Sequence, residues 1–124
     1  MASDSAHVHH AIDYIELTVA DLAAAQTFYA QAFGWRFNEY GPDYAGFVAG
    51  PGEREAGGLR REAGGSRGSA APLVILFSTA LEATRDRVRV AGGTLTKDIF
   101  AFPGGRRFHF ADPSGNVLAV WSDR

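Results

Sequence analysis

The chain has no cysteine, one methionine and one lysine, Lys97. The missing cysteine excludes disulfides, zinc thiolate centres and a cysteine nucleophile together. No apolar run approaches the roughly 18 residues that a bilayer-crossing helix needs. The opening residues, Met1-Ala2-Ser3-Asp4-Ser5-Ala6-His7, lack the basic and apolar regions of a secretory signal, which reads as a cytoplasmic protein. Charge of one sign is lacking too: the net charge is −2 and the pI near 6.0, which gives no electrostatic reason to expect nucleic acid. What remains is 124 residues, 46% hydrophobic and 21% charged, the balance of a folded domain with one sizeable core.

The dominant positive feature is an internal repeat. Tyr14-Ile15-Glu16-Leu17-Thr18-Val19-Ala20-Asp21-Leu22 reads like Leu73-Val74-Ile75-Leu76-Phe77-Ser78-Thr79-Ala80-Leu81, 59 positions on, and Gly34 falls on Gly93 at the same offset. In the first copy Ile12 to Val19 alternates, with Ile15, Leu17 and Val19 on one strand face and Tyr14, Glu16 and Thr18 on the other. Asp21 is placed to cap a helix whose stripe is Leu22, Ala25, Phe28, Tyr29, Ala32 and Phe33, and Gly34 stops it. Phe28, Phe33 and Phe110 are expected as packing residues. Trp35 to Tyr40 and Tyr44 to Ala49 flank Gly41-Pro42-Asp43, a hairpin turn. Gly57 to Arg60 reads as a short fourth strand inside a Gly-, Ser- and Arg-rich connection whose most flexible part is Gly64 to Ser69.

The second copy repeats the plan. Leu73 to Phe77 is uniformly apolar, as a strand buried on both faces would be. A helix follows, with Leu81, Thr84, Val88 and Ala91 inward and Arg85, Arg87 and Arg89 outward, stopped by Gly92-Gly93. Thr94 to Phe102, Arg106 to Ala111 and Val117 to Trp121 are strands, separated by Pro103-Gly104-Gly105 and by Asp112-Pro113-Ser114-Gly115-Asn116. The Asp-Pro-Ser-Gly-Asn run is a turn by composition and is assigned structure rather than chemistry. The expected organisation is α+β, a single domain with module one over residues 11–60, a linker over 61–71 and module two over 72–122.

The doubled β-α-β-β-β plan, Val19-Ala20-Asp21-Leu22 leading to Phe28-Tyr29, Phe33-Gly34-Trp35, and Asp112 to Asn116 before the last strand resemble the vicinal oxygen chelate superfamily. That superfamily includes glyoxalases, bleomycin-resistance proteins and extradiol dioxygenases. The resemblance covers residues 11–122. It implies two modules forming a cupped eight-stranded mixed sheet around a central cleft, helices outside, and a homodimer in many members. It also implies a divalent metal held by His, Gln or Glu on the first and last strand of each module. At those positions this chain has Tyr14, Leu73 and Ala119, with the fourth near Gly58. A phenol, an isobutyl and a methyl group are poor ligands for a divalent cation, so no metal and no cofactor are expected.

Glu16 shares its face with Tyr14, which by resemblance is the cleft face. It is either a rim glutamate paired with an arginine or a buried carboxylate serving as a base or binding a cation. His109, between Phe108 and Phe110, reads first as a structural residue. His7, His9 and His10 have a spacing that grips metal weakly, within residues 1–10, expected to be loosely ordered. Nine Phe, four Tyr and two Trp supply more rings than one core needs, and Trp121 shares a face with Ala119. The expected function is metal-free binding of an aromatic or hydrophobic small molecule by Tyr14, Glu16, Trp35, Tyr44, Phe47, Phe102, His109 and Trp121. The alternatives are a glyoxalase-like lyase or isomerase with an atypical site, and a non-catalytic dimeric regulatory module.

Overall fold

A computed structural model describes residues 7–62 and 71–124. Among the described residues eight strands and two helices make an α+β fold: β1 (Ile12–Val19), α1 (Leu22–Phe33), β2 (Arg36–Glu39), β3 (Tyr44–Val48), β4 (Gly57–Arg61), β5 (Leu73–Phe77), α2 (Leu81–Val90), β6 (Thr94–Phe102), β7 (Gly105–Ala111) and β8 (Val117–Ser122). The chain divides into two compact units, Tyr14–Pro72, and Leu73–Arg124 together with the residues up to Asp13. Each carries the β-α-β-β-β plan expected from the sequence. The connection Gly64 to Ser69 and residues 1–6 lie outside the described residues.

In the Tyr14–Pro72 unit the strand order is β2-β3-β4-β1. β1 runs parallel to β4, while β3 is antiparallel to both β4 and β2. The Asp21 carboxylate accepts from the Ala24 N–H at 2.9 Å and starts α1. Gly34, at φ 74°, ends it, and its N–H donates to the Ala30 carbonyl at 2.9 Å. One sheet face packs against α1: Leu22, Ala45, Phe47 and Leu59 are buried, with Leu17, Val19 and Tyr29 beside them. The expected helical stripe is too wide. Phe28 is 57% exposed and Phe33 64% exposed. Leu22, Ala25 and Tyr29 lie along the line that meets the sheet; Phe28 falls on its flank and Phe33 on the last residue of the helix.

The other unit has the matching order, β5-β8-β7-β6, with β5 parallel to β8 and the remaining pairs antiparallel. Its helix-side core is Leu81, Phe108 and Val120, with Leu76, Val88 and Phe110 packed on it. β5 is less buried than its composition predicts: Ile75 and Phe77 are 2% exposed, but Leu73, Val74 and Leu76 are half-buried. The Asp112 carboxylate accepts from the Ser114 and Asn116 N–H groups, both at 2.9 Å, and Gly115 takes φ 91°, which confirms the turn.

Residues 7–10 are tied down rather than loose. The His10 N–H donates to the Phe77 carbonyl at 2.7 Å, and the Phe77 N–H to the Ala11 carbonyl at 3.1 Å. The three histidines go to three different partners: His7 Nδ1 to Asp13 at 2.9 Å, His9 Nδ1 to the Thr79 N–H at 2.9 Å, and His10 Nε2 to the Thr84 hydroxyl at 2.9 Å. Burial, then neighbouring His9 and Arg87, hold the His10 pKa below its ordinary value. Among the described residues no helix is long and apolar enough to cross a membrane.

Candidate functional site

Strand alternation leaves the face opposite α1 to the even-numbered residues of β1, β3 and β4. Across it runs one register row: Glu16 opposite Gly58, Gly58 opposite Gly46, Gly46 opposite Asn38. The next row is Thr18, Arg60 and Tyr44. The two central glycines are required by what lies over them. A Cβ on Gly58 would overlap the Tyr44 hydroxyl and ring, and a Cβ on Gly46 would overlap the Glu55 carboxylate. The row is therefore a trough whose floor is backbone and whose contents are side chains from neighbouring positions.

Those side chains form one polar network. The Tyr44 hydroxyl donates toward Glu16 Oε2 at 3.0 Å and toward the Tyr14 hydroxyl at 3.2 Å, sharing its proton with the carboxylate as the stronger acceptor. Glu16 is 6% exposed, and Arg60 Nε lies 3.7 Å from its other oxygen. Arg60 also reaches Glu62 at 3.0 Å. At the far end Glu55 accepts from Asn38 Nδ2 at 2.8 Å, from Tyr14 at 3.4 Å, and from the Tyr40 hydroxyl in a short hydrogen bond. Burial first, with the Glu16 charge adding to it, pushes the Tyr44 phenol far above its ordinary pKa, and burial does the same to Tyr14. Tyr40 is pushed up to about 12, chiefly by its bond to Glu55. All three phenols keep their protons at neutral pH and act as donors.

Of the expected site residues, Tyr14, Glu16 and Tyr44 are thus brought together. Glu16 combines both readings made of it, being buried and paired with an arginine. Trp35 and Phe47 are not with them: Trp35 stacks between Tyr29 at 4.8 Å and Phe47 at 4.4 Å, each nearly parallel, inside the core under α1. Phe47 follows Gly46 by one residue and so points to the opposite face.

In the second unit the helix-free face carries Trp121, Phe77, Phe102 and His109. The Trp121 indole N–H donates to Asp13 Oδ2 at 3.0 Å, and the ring sits 5.2 Å from Phe77 and 6.2 Å from Phe102. His7 stacks on Phe77 at 4.9 Å and meets the Trp121 ring edge at 5.2 Å. His109 stands opposite Lys97 and Ala119 in register, tilted against Phe100 at 5.7 Å. The Arg107 guanidinium lies 5.5 Å from the Phe100 ring and 5.6 Å from that of Phe102.

The sequence reading missed Glu55, Tyr40, Asn38 and Asp13. The available signal was glycine in strands: Gly46 and Gly58 interrupt β3 and β4, where glycine marks a close approach by another group.

A family model, Glyoxalase/Bleomycin resistance protein/Dioxygenase superfamily, matches residues 11–120. The chain belongs to that superfamily. No curated relative matches it in sequence. Among solved structures, an Mn(II)-bound glyoxalase from Novosphingobium aromaticivorans is 28% identical, with TM-score 0.65, covering 94% of this chain; the chain spans only 40% of that protein's length. A superfamily member from Vibrio splendidus 12B01 is 15% identical with TM-score 0.68, covering 89% of this chain and 97% of its own. A methylmalonyl-CoA epimerase from Mycobacterium tuberculosis is 18% identical with TM-score 0.63, covering 91% and 87%. The last two show the shared fold.

The residues at the superfamily's metal positions do not fit a metal. Tyr14 holds a proton that burial makes hard to remove. Gly58 offers no ligand, and the space its side chain would fill is taken by the Tyr44 hydroxyl. In the second unit the equivalents are Leu73 and Ala119, the latter fully buried opposite Ile75. Among the described residues no three His, Asp or Glu side chains converge as ligands.

Proposed function

We propose that this superfamily member is a metal-free small-molecule-binding protein that sequesters an aromatic or hydrophobic ligand against the helix-free face carrying Tyr14, Tyr44 and Glu16. The observation that carries the reading is the arrangement around Glu16. A carboxylate with 6% exposure is kept on the face away from the core, fixed by a phenol and an arginine, where a lone structural glutamate would be exposed. Phenol rings with a few fixed polar groups suit a flat organic ligand. The half-buried rings of Trp121 and Phe102 on the second unit's helix-free face offer a further aromatic surface. Cytoplasmic location and a homodimer belong to the same proposal, and light scattering tests the dimer. Isothermal titration with aromatic amines, aromatic acids and hydrophobic antibiotics tests the binding reading. Heat from none of them refutes it.

The second reading is a glyoxalase-like enzyme, favoured by the 28% identity to a glyoxalase described as Mn(II)-bound. Against it stand the proton on Tyr14 and the filled position at Gly58. Elemental analysis of purified protein, and thermal shift with manganese, nickel and zinc, separate the two. A stoichiometric metal counts for the enzyme reading, and its absence together with a measured ligand that the protein leaves unchanged counts for the first.

A further inference from the structure

Glu55 sits on β4's approach, in the segment joining β3 to β4, and its carboxylate lies over Gly46. Three neutral donors from three positions meet it: the Tyr14 and Tyr40 hydroxyls and the Asn38 amide. The rest of the segment is fastened independently. Arg36 donates to the Gly50 and Gly52 carbonyls at 2.8 and 2.7 Å, and the Ala56 N–H donates to the Phe47 carbonyl at 2.8 Å. The Glu55 side chain can therefore leave by rotation about its own bonds while the backbone stays. What it would leave behind is a floor without side chain and three donors aimed at one carboxylate position.

We infer that Tyr14, Tyr40 and Asn38 over Gly46 form a carboxylate-binding subsite for a small aromatic acid, with the chain's own Glu55 occupying it until the ligand displaces that side chain. The cradle is neutral, so it recognises the acid by directed hydrogen bonds to a charged acceptor rather than by ion pairing. The Glu16 carboxylate on the same face is met by Arg60 and Tyr44 and so repels an incoming carboxylate less than a bare one would. The tyrosine rings that carry two of the donors supply the apolar flank for an aromatic body. An internal competitor lowers apparent affinity by the fraction of time the cradle is open, so wild-type protein binds acids weakly. This deepens the small-molecule reading above and rests on it.

The test titrates benzoate and benzyl alcohol calorimetrically into the full chain as wild type, Glu55→Ala, Glu55→Gln and Glu55→Ala/Tyr40→Phe. Glu55→Ala is expected to bind benzoate at least about tenfold more tightly than wild type, with benzyl alcohol unchanged. Glu55→Gln keeps the side-chain shape but is held less firmly, so it falls between, and it decides the matter if Glu55→Ala does not fold. Adding Tyr40→Phe is expected to abolish the gain. A gain that survives Tyr40→Phe would reflect only the removed negative charge and would overturn the subsite. Equal benzoate affinity in wild type and both Glu55 variants, with benzyl alcohol bound throughout, overturns the subsite but leaves the small-molecule reading. Binding of neither compound by any variant counts against both.

Discussion

The seat of Tyr44 over Gly58 makes a quantitative prediction. Gly58→Ala puts a methyl group where the Tyr44 hydroxyl and ring lie, so the ring must leave. Leaving breaks the donation to Glu16, a hydrogen bond to a charged group worth about 1.5–3 kcal/mol, and forced repacking adds about 1–3 kcal/mol. The expected destabilisation is about 3–5 kcal/mol, a large share of a domain's total stability. Tyr44→Ala alone should cost a similar amount, about 3–5 kcal/mol, by emptying the seat. In that background, however, the Gly58 methyl group meets nothing from residue 44, and alanine in a strand is preferred over glycine by about 0.5–1 kcal/mol. The two changes should therefore be strongly non-additive, with a coupling of about 3.5–6 kcal/mol. Urea unfolding of wild type, both single variants and the double variant, followed by circular dichroism, measures each stability. Additivity within about 0.5 kcal/mol would show that Gly58 is needed for its backbone rather than for the space above it.

The remaining predictions concern the network's far end, the second unit and α1. Tyr40 should ionise near pH 12 in wild type, and because Glu55 is the main cause, Glu55→Ala should lower that midpoint toward the ordinary tyrosine value of about 10. With the folded value raised, its stabilisation is complete below about pH 10 and lost as pH rises through 12, and ultraviolet titration of phenolate checks both statements. Asp13→Ala removes the acceptor of both the Trp121 indole and His7, and should destabilise by about 1–3 kcal/mol in thermal unfolding. Gly34→Ala should cost about 1 kcal/mol through its left-handed backbone alone, since open space surrounds a Cβ there, and equal stability would show that the helix end relaxes.

Periodicity carried most of the fold. The alternation of β1 sorted its two faces where they matter: Leu17 and Val19 pack on the core under α1 and Tyr14 and Glu16 join the polar network on the other face, while Ile15 stays 39% exposed. Asp21 and Gly34 marked the helix ends because capping is local chemistry. The errors came where local pattern underdetermines distance. Phe28 and Phe33 fit a helical stripe but miss the narrower line of contact, and Trp35 fits a strand yet precedes β2 and folds back between Tyr29 and Phe47. Glu55 was unreadable for a different reason. Nothing in the sequence between Pro51 and Ala56 says that its carboxylate will cross over β3, because the partners that capture it come from β1, β2 and the β2–β3 turn.

The glycines supply the missing step between architecture and chemistry. In the second unit the pair equivalent to Glu16 and Gly58 is Ile75 and Ala119, both buried and apolar. The same register position therefore packs a core in one copy and holds a charged carboxylate in the other. A buried carboxylate is costly unless hydrogen-bonded, so Glu16 requires Tyr44, and Tyr44 reaches it only across a residue with no side chain. Glycine at 58 thus follows from glutamate at 16. On this face Gly58, Tyr44 and Glu16 form one linked set, since losing any of them breaks the network, which is why their coupling, more than any one residue, is the property to measure.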